Sequence, residues 1–413
     1  MPRVLLHSLV FAPDSVSTAH LMTDLALELK RLGHSVTVLT ATPHYNIDAS
    51  ALARQPLQRR WVGLLFYSEL EGIPVWHVKL PFKGKRIWLR VLDYLRFHTL
   101  SLLASLCTVG KQDIVIATSP PLTIGVMSWL LGVRWRAPSI YKVAELYPDL
   151  AVRQGIVRNR VAIGLLNRLE RFVYRRNSMI VPIAEQFRRT IKERGVPDAK
   201  LCMIPDFVDT EFFRPMAKDQ AFLNQYGLSD RFIVLYGGNI GVVQDWESVL
   251  YAAEQVKDLP ISFVLVGDGA RRQWLDEEVS KRNLNNIKLL GYVPKEQMPQ
   301  INANADLCII PMTKTGIQGG FPSKVYTIMA CGKALIASGD PDSEMAWIVK
   351  KARCGRVVLP EVPGAFADAL KVAYIERATL AGEGESGRIF VQAYSKQAVA
   401  GQYAELIKRL VKN

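Results

Sequence analysis

The sequence predicts an α/β protein made of two doubly wound parallel-sheet domains that face each other across a cleft. Three observations predict it. Short, apolar, β-prone runs alternate with helical spacings from one end to the other. That rhythm breaks around residues 204–228 and then starts afresh. Glycine clusters follow directly on several of the strand-like runs. Short buried strands separated by helices call for a parallel sheet covered on both faces. Such sheets bind ligands at the carboxyl ends of their strands.

In the first half, Val4–Phe11, Ser35–Thr40, Asp113–Thr118, Ser139–Val143 and Ser178–Ile183 read as strands. Leu21–Leu32 has helical apolar spacing and ends at Gly33, a helix stop. In the second half the strand-like runs are Phe232–Tyr236, Ile261–Val266, Ile287–Leu290, Leu307–Ile310 and Ala334–Ala337. Pro205, Pro215 and several charges interrupt the pattern between the halves. This predicts a first domain at 1–204, a linker at 205–228 and a second domain at 229–392. Residues 393–413 form a terminal helix outside the second sheet, packing back on the first domain.

Composition narrows the partners. The 413 residues carry a formal charge of +14, and it is lopsided. Residues 1–215 hold 29 Lys/Arg against 17 Asp/Glu, and the remainder 23 against 21. A basic half attracts nucleic acid, anionic bilayers or phosphorylated substrates. Five scattered cysteines without a C-x-x-C pair read as reduced thiols of a cytoplasmic protein. The six histidines lie in the first quarter and form no ligand spacing, so neither a metal site nor a cofactor is expected. Met1-Pro2-Arg3 leads straight into a strand, without a signal peptide. The longest apolar stretches, such as Thr123 to Val133, fall short of the roughly 20 residues that span a bilayer. Any membrane contact is therefore expected to be peripheral.

The stretch from Thr313 to Gly332 carries the most chemistry. Gly316, Gly319 and Gly320 are expected to turn the chain tightly after a strand. Pro322 and Ser323 then look like a helix start, with Lys324 in the first turn. A glycine-rich loop feeding a helix N-terminus presents N–H groups and partial positive charge, to which Lys324 adds a full one; a diphosphate is the natural ligand. Two further clusters, Gly238 and Asn239 within Tyr236–Gly241, and Gly267-Asp268-Gly269, also follow strands. Each alone reads equally as a plain turn, but three at the carboxyl ends of one sheet converge on one crevice. No Walker-type loop is present, and Asp340-Pro-Asp342 reads as a turn.

In the first half, Ser17 and Thr18, with Asp14, either cap the first helix or meet an acceptor. Glu145, Tyr147 and Asp149 follow a strand and suit sugar hydroxyls; the same stretch also reads as a polar loop with solvated acids. Lys83 to Phe97 combines a basic start with Trp88, Leu89, Leu92, Leu95 and Phe97, the composition of a helix resting on anionic lipid. Arg153, Arg158, Arg160, Arg168, Arg171, Arg175 and Arg176 add charge to the same domain. A core-facing helix with arginines outside fits these residues as well.

The order of segments resembles bacterial glycosyltransferase family 4, close to the sugar transferases of O-antigen, capsule and exopolysaccharide assembly. The resemblance rests on Arg31-Leu-Gly-His-Ser-Val-Thr-Val38, Thr118-Ser-Pro-Pro121, Glu145-Leu-Tyr-Pro148 and Ile204 to Glu211. It continues through Gly237 to Gly241, Val266 to Gly269, Leu290 to Pro294 and Pro322-Ser-Lys324. It implies two Rossmann-like domains in the GT-B arrangement and retention of anomeric configuration. The second domain would hold a nucleotide-sugar donor, UDP-sugar favoured, and the first a lipid-linked saccharide acceptor, plausibly polyprenyl-diphosphate-linked. The enzyme would lie on the inner face of the cell membrane. Backbone near Val293 would meet the base, and the Gly319–Lys324 turn the diphosphate. Many family members carry paired glutamates where Gly319 and Thr327 stand here, and Arg and Lys where Asn239 and Gln244 stand. Glu344 is placed to supply part of that function, and Lys324 to carry more of the leaving-group charge.

On this reading the protein transfers sugar without a metal, with Lys324 and Glu145 as catalytic groups. Two alternatives come from other classes. A nucleotide-sugar epimerase needs paired acid/base groups near the sugar, and the second half contains no histidine. A non-enzymatic anion or nucleic-acid binder leaves the three glycine turns unused, so nucleic acid is not expected as a partner.

Overall fold

The computed structural model describes residues 1–44, 49–80, 87–153, 155–319 and 321–412. The chain divides into two compact units, one formed by 1–206 with 396–413 and the other by 207–395.

The first unit holds eight strands: β1 (Arg3–His7), β2 (Ser35–Ala41), β3 (Gln58–Arg60), β4 (Leu65–Leu70), β5 (Ile73–Val78), β6 (Ile114–Thr118), β7 (Ser139–Val143) and β8 (Met179–Pro182). Their order is β3-β4-β5-β2-β1-β6-β7-β8. Strands β5 to β8 along this order are parallel, whereas β3 and β4 run antiparallel at the edge. The β4–β5 hairpin closes through Glu71 and Gly72, both at positive φ (46° and 74°), the backbone that two-residue hairpin loops require. β6 and β7 are buried at every residue, as parallel strands covered on both faces must be.

The second unit is a single parallel sheet of β9 (Phe232–Gly237), β10 (Ile261–Val266), β11 (Ile287–Leu290), β12 (Leu307–Ile310), β13 (Leu335–Ser338) and β14 (Gly355–Val358), ordered β11-β10-β9-β12-β13-β14. Alternate residues feed two cores. Phe232, Val234 and Tyr236 point to the face covered by the helices Trp246–Gln255 and Pro363–Ile375. Ile233 and Leu235 point to the face covered by Lys324–Ala330 and Glu344–Ala352. In both units the strand order reverses beside the first strand, so a crevice opens between β9 and β12 at their carboxyl ends.

The segment read as a linker is part of the second unit's packing. Val208, Phe213, Leu223 and Leu228 are buried in its core, and Asp219 caps the helix Gln220–Tyr226. The helix Lys396–Lys412 belongs to the first unit, where it packs on the helix Ser17–Arg31 and buries Val399, Tyr403, Leu406 and Ile407.

Asp206 ends the first stretch of that unit with a buried ion pair to Lys142 of β7, at 2.6 Å. Removing one partner leaves an uncompensated charge in a dry site. Lys142→Ala is expected to destabilise the first unit by about 3–5 kcal/mol, read as a lowered denaturant midpoint. Replacing both residues by apolar ones of similar volume should recover much of the loss.

Candidate active site

The carboxyl ends of β9 and β10 run into the two glycine turns singled out in the sequence. Gly238, Gly267 and Gly269 have φ of 136°, 141° and 154°, a region closed to most side chains. The turns also lie against each other. A methyl at Gly267 would come within 1.8 Å of the Gly238 carbonyl oxygen, and the Ile240 N–H donates to the Asp268 carbonyl at 2.8 Å. Asn239 and Asp268 are exposed, the latter accepting from the Gly269 N–H through its side chain.

Lys324 opens the helix Lys324–Ala330, on the other side of the β9–β12 crevice. Its ammonium donates to the Tyr236 hydroxyl at 2.8 Å and lies 4.3 Å from the centre of that ring. It also borders Gly238, where a methyl would stand 2.3 Å from Nζ. Lys324 is half-buried and makes no ion pair with any described residue. Desolvation pushes its ammonium down to about 8. A cation so placed, beside open backbone and with no carboxylate to answer it, favours an anionic ligand.

Ser323 precedes that helix with backbone already helical and no side-chain cap bond, and Thr327 is half-buried one turn on. Val293 follows β11, partly buried against the core. Glu344 starts the helix Glu344–Ala352, next to Ser343, whose hydroxyl accepts the Ala346 N–H at 3.2 Å. Gly320 lies outside the described residues.

The tight turn expected from Gly316 and Gly319 is instead the short helix Lys314–Gly319. The Thr313 hydroxyl accepts the Gly316 N–H at 3.0 Å and begins it. Gly316 serves a close approach, since a methyl there would lie 2.6 Å from the Val243 carbonyl oxygen.

In the first unit, Glu145 and Tyr147 follow β7. The Ser119 hydroxyl holds this backbone by accepting the N–H groups of Ala144 and Glu145 at 3.0 and 3.4 Å. Burial raises the Glu145 carboxyl above its usual range, and a hydrogen bond from Tyr147 opposes the rise. Asp149 is paired with Arg194, which also pairs with Glu170, so its carboxylate serves the framework. Ser17 and Thr18 lie in the first turn of Ser17–Arg31. Of the two roles read for these hydroxyls, the N-cap position itself is taken by Val16, whose side chain makes no cap bond.

Of the segment expected to rest on lipid, residues 81–86 lie outside the described ones, and so does the side chain of Trp88. The helix Ile87–Cys107 exposes Leu92, Leu95, Leu103 and Leu106, each by 42–62%. Phe97 does not join them. It points the opposite way from Leu95 and stacks on the buried His7. The seven arginines are all exposed, and Arg176 covers the rings of Trp129 and Phe172. Among the described residues no helix is long and apolar enough to cross a membrane, and no group of three or more His, Cys, Asp or Glu is placed to hold a metal. A cavity of about 370 Å³ lined by Lys111, Arg134 and Arg136 lies before the starts of β6 and β7, away from the carboxyl edge.

Sequence reasoning missed Tyr236, taken only as a strand end, and Arg272. The Arg272 guanidinium donates to the carbonyls of Gly267, Leu289 and Leu290 and so ties β10 to β11 where they end. Nothing in a lone arginine within a helix announces that role.

Comparisons with known proteins agree with this geometry. Residues 18–206 match the family model of a glycosyl transferase 4-like domain, and residues 231–374 that of glycosyl transferases group 1. WbjE of Pseudomonas aeruginosa, named as a glycosyltransferase by inference, is 23% identical over 73% of this chain and 76% of its own. WcaI of Escherichia coli strain K12, named as a candidate glycosyl transferase of colanic acid biosynthesis, is 22% identical over 83% of this chain and 84% of its own. The crystal structure of Anabaena HepE in complex with UDP and glucose superposes with a TM-score of 0.71 at 16% identity, covering 99% of this chain and all of that one. The two matched domains, spanning most of the chain on this fold, place the protein in bacterial glycosyltransferase family 4, as a GT-B glycosyltransferase.

Proposed function

We propose that this glycosyltransferase moves a sugar, with retention and without a metal ion, from a nucleotide diphosphate to a lipid-linked saccharide acceptor in surface polysaccharide assembly. UDP is the favoured nucleotide. The observation that carries the reading is the half-buried Lys324 ammonium, paired with no described carboxylate, beside the Gly238 turn. HepE, with this fold, binds UDP and glucose, and WcaI is named for colanic acid biosynthesis.

The donor diphosphate lies along Gly238, Asn239, Gly267, Asp268 and Gly269 on one side, and Gly319, Ser323 and Lys324 on the other. Val293 meets the base. Thr327 and Glu344 stand toward the sugar and ribose. Transfer passes through an oxocarbenium-like state as negative charge grows on the departing diphosphate, and a charge fixed beforehand at that point lowers the barrier. Glu145 orients the acceptor hydroxyl, helped by Tyr147. Ser17, Thr18 and Asp149 border the acceptor, Asp149 through its hold on the loop.

The acceptor's lipid anchor accounts for the first unit's surface. Leu92, Leu95, Leu103 and Leu106 form an exposed apolar stripe on one helix. Arg160, Arg168, Arg171 and Arg175 are exposed and make no ion pair with any described residue. Leucines sinking into the interface, with arginines near anionic headgroups, hold a protein peripherally on the inner face of the membrane.

Four outcomes test this reading. Lys324→Ala should lower turnover about 100- to 1,000-fold, the usual effect of losing one preorganised charge-stabilising donor. In the wild type, kcat/KM should fall as pH rises through about 8, because the ammonium that attracts the diphosphate is lost there. Normal turnover of the alanine variant removes Lys324 from the site. Glu145→Gln should cut acceptor-dependent transfer by about 100-fold or more while sparing slow hydrolysis of the donor; an equal loss in both places Glu145 elsewhere. Sedimentation should favour anionic over neutral vesicles, weakening in Leu92→Ser/Leu95→Ser, and an equal affinity for both vesicles defeats the membrane claim.

A further inference from the structure

We infer that Tyr236 is the positioning residue for Lys324, its hydroxyl anchoring the ammonium at one point above the Gly238 turn. This rests on the reading of Lys324 given under the proposed function. Lysine carries a point charge on a flexible four-carbon stem, and an unanchored ammonium would sample many positions. Here Lys324 Nζ donates to the Tyr236 hydroxyl at 2.8 Å, and that hydroxyl donates to the Asn239 carbonyl at 2.6 Å. A phenol has one proton. With it committed to Asn239, the oxygen can only accept from Lys324, so the two bonds fix each other's direction. The ammonium uses one of its three N–H groups in this bond and keeps two for a ligand.

The tyrosine is itself immobile. It is fully buried, and its ring meets Trp246 edge-on at 4.9 Å, while the Trp246 indole N–H donates to the Gly241 carbonyl at 3.0 Å. Tyr236 and Trp246 thus grip both ends of the 237–241 turn and set the lysine charge on it. Burial holds the Tyr236 phenol well above its usual range, so it stays neutral. It is the titratable group that Lys324 touches; no charged group among the described residues shifts the ammonium, and Asp268 on the neighbouring turn bonds the Gly269 N–H.

Tyr236→Phe separates anchoring from packing, since phenylalanine keeps the ring under the ammonium and against Trp246. A neutral acceptor favours the charged lysine, so its removal lowers the Lys324 pKa. Protein labelled with ε-13C lysine, the Lys324 signal assigned by its loss in Lys324→Ala, should titrate near 8 in the wild type and about one pH unit lower, a tenfold change in proton affinity, in Tyr236→Phe. Calorimetry with inorganic pyrophosphate at pH 7 gives the second readout. Tyr236→Phe should weaken binding about 5- to 10-fold in the wild-type background and under about 2-fold in the Lys324→Ala background, as expected of residues acting as one unit. An unmoved titration, or the same loss in both backgrounds, overturns the role of Tyr236. If Lys324→Ala binds pyrophosphate as well as the wild type, the donor-site reading falls, and the titration still decides whether Tyr236 anchors the ammonium.

Discussion

A positive charge without a negative partner is the constraint around which the second unit is arranged. Lys324 makes no ion pair with any described residue, and desolvation already weakens its hold on its proton. Such a group is costly to keep, and the surrounding structure lowers that cost with one neutral hydrogen bond and one aromatic face. Glycine at 238 is then obligatory twice over, for its backbone conformation and because any side chain would displace the ammonium. The neighbouring turn is constrained by backbone contact. Gly267 must also lack a side chain, because the Gly238 carbonyl lies against it. The charge and the close approach of the two turns thus fix glycine at 238 and 267.

The topology explains why this charge sits where it does. Strands β9 and β12 are adjacent, but the chain leaves them toward opposite ends of the sheet. The loops that follow them diverge, leaving a crevice that neither fills. The first unit repeats the same strand order from β5 to β8 yet builds different chemistry at its carboxyl edge. There a half-buried carboxyl and a phenol stand on backbone held by Ser119. The common order provides two crevices, and the residues that follow the strands decide what each can hold.

Much of the framework was legible in the sequence because buried parallel strands are continuous apolar runs. β7, β10, β11 and β12 fall within the bounds that their composition sets. β3, β4, β5 and β14 were not read. β3 is the polar run Gln58-Arg59-Arg60 with every residue exposed, and β14, Gly355-Arg356-Val357-Val358, has no buried residue, so neither presents the continuous apolar run of a covered strand. The helix Lys314–Gly319 escaped notice because three glycines argue for a turn, whereas a close approach to Val243 was the reason for one of them. Lys324 could be singled out from its local neighbours. Tyr236 could not, since it lies 88 positions away and meets Lys324 only in the folded sheet. The ion pair of Asp149 was hidden for the same reason, its partner Arg194 being 45 positions distant.

The return of the chain to the first unit has a consequence for how the protein is made. The helix Lys396–Lys412 supplies Val399, Tyr403, Leu406 and Ile407 to that unit's interior. During synthesis the first 206 residues emerge early but lack this wall until residues 396–412 have left the ribosome. The second unit, continuous from 207 to 395, has no such wait. The amino-terminal half must therefore remain open on one flank while the later half completes itself, a reversal of the usual order in which nascent domains mature.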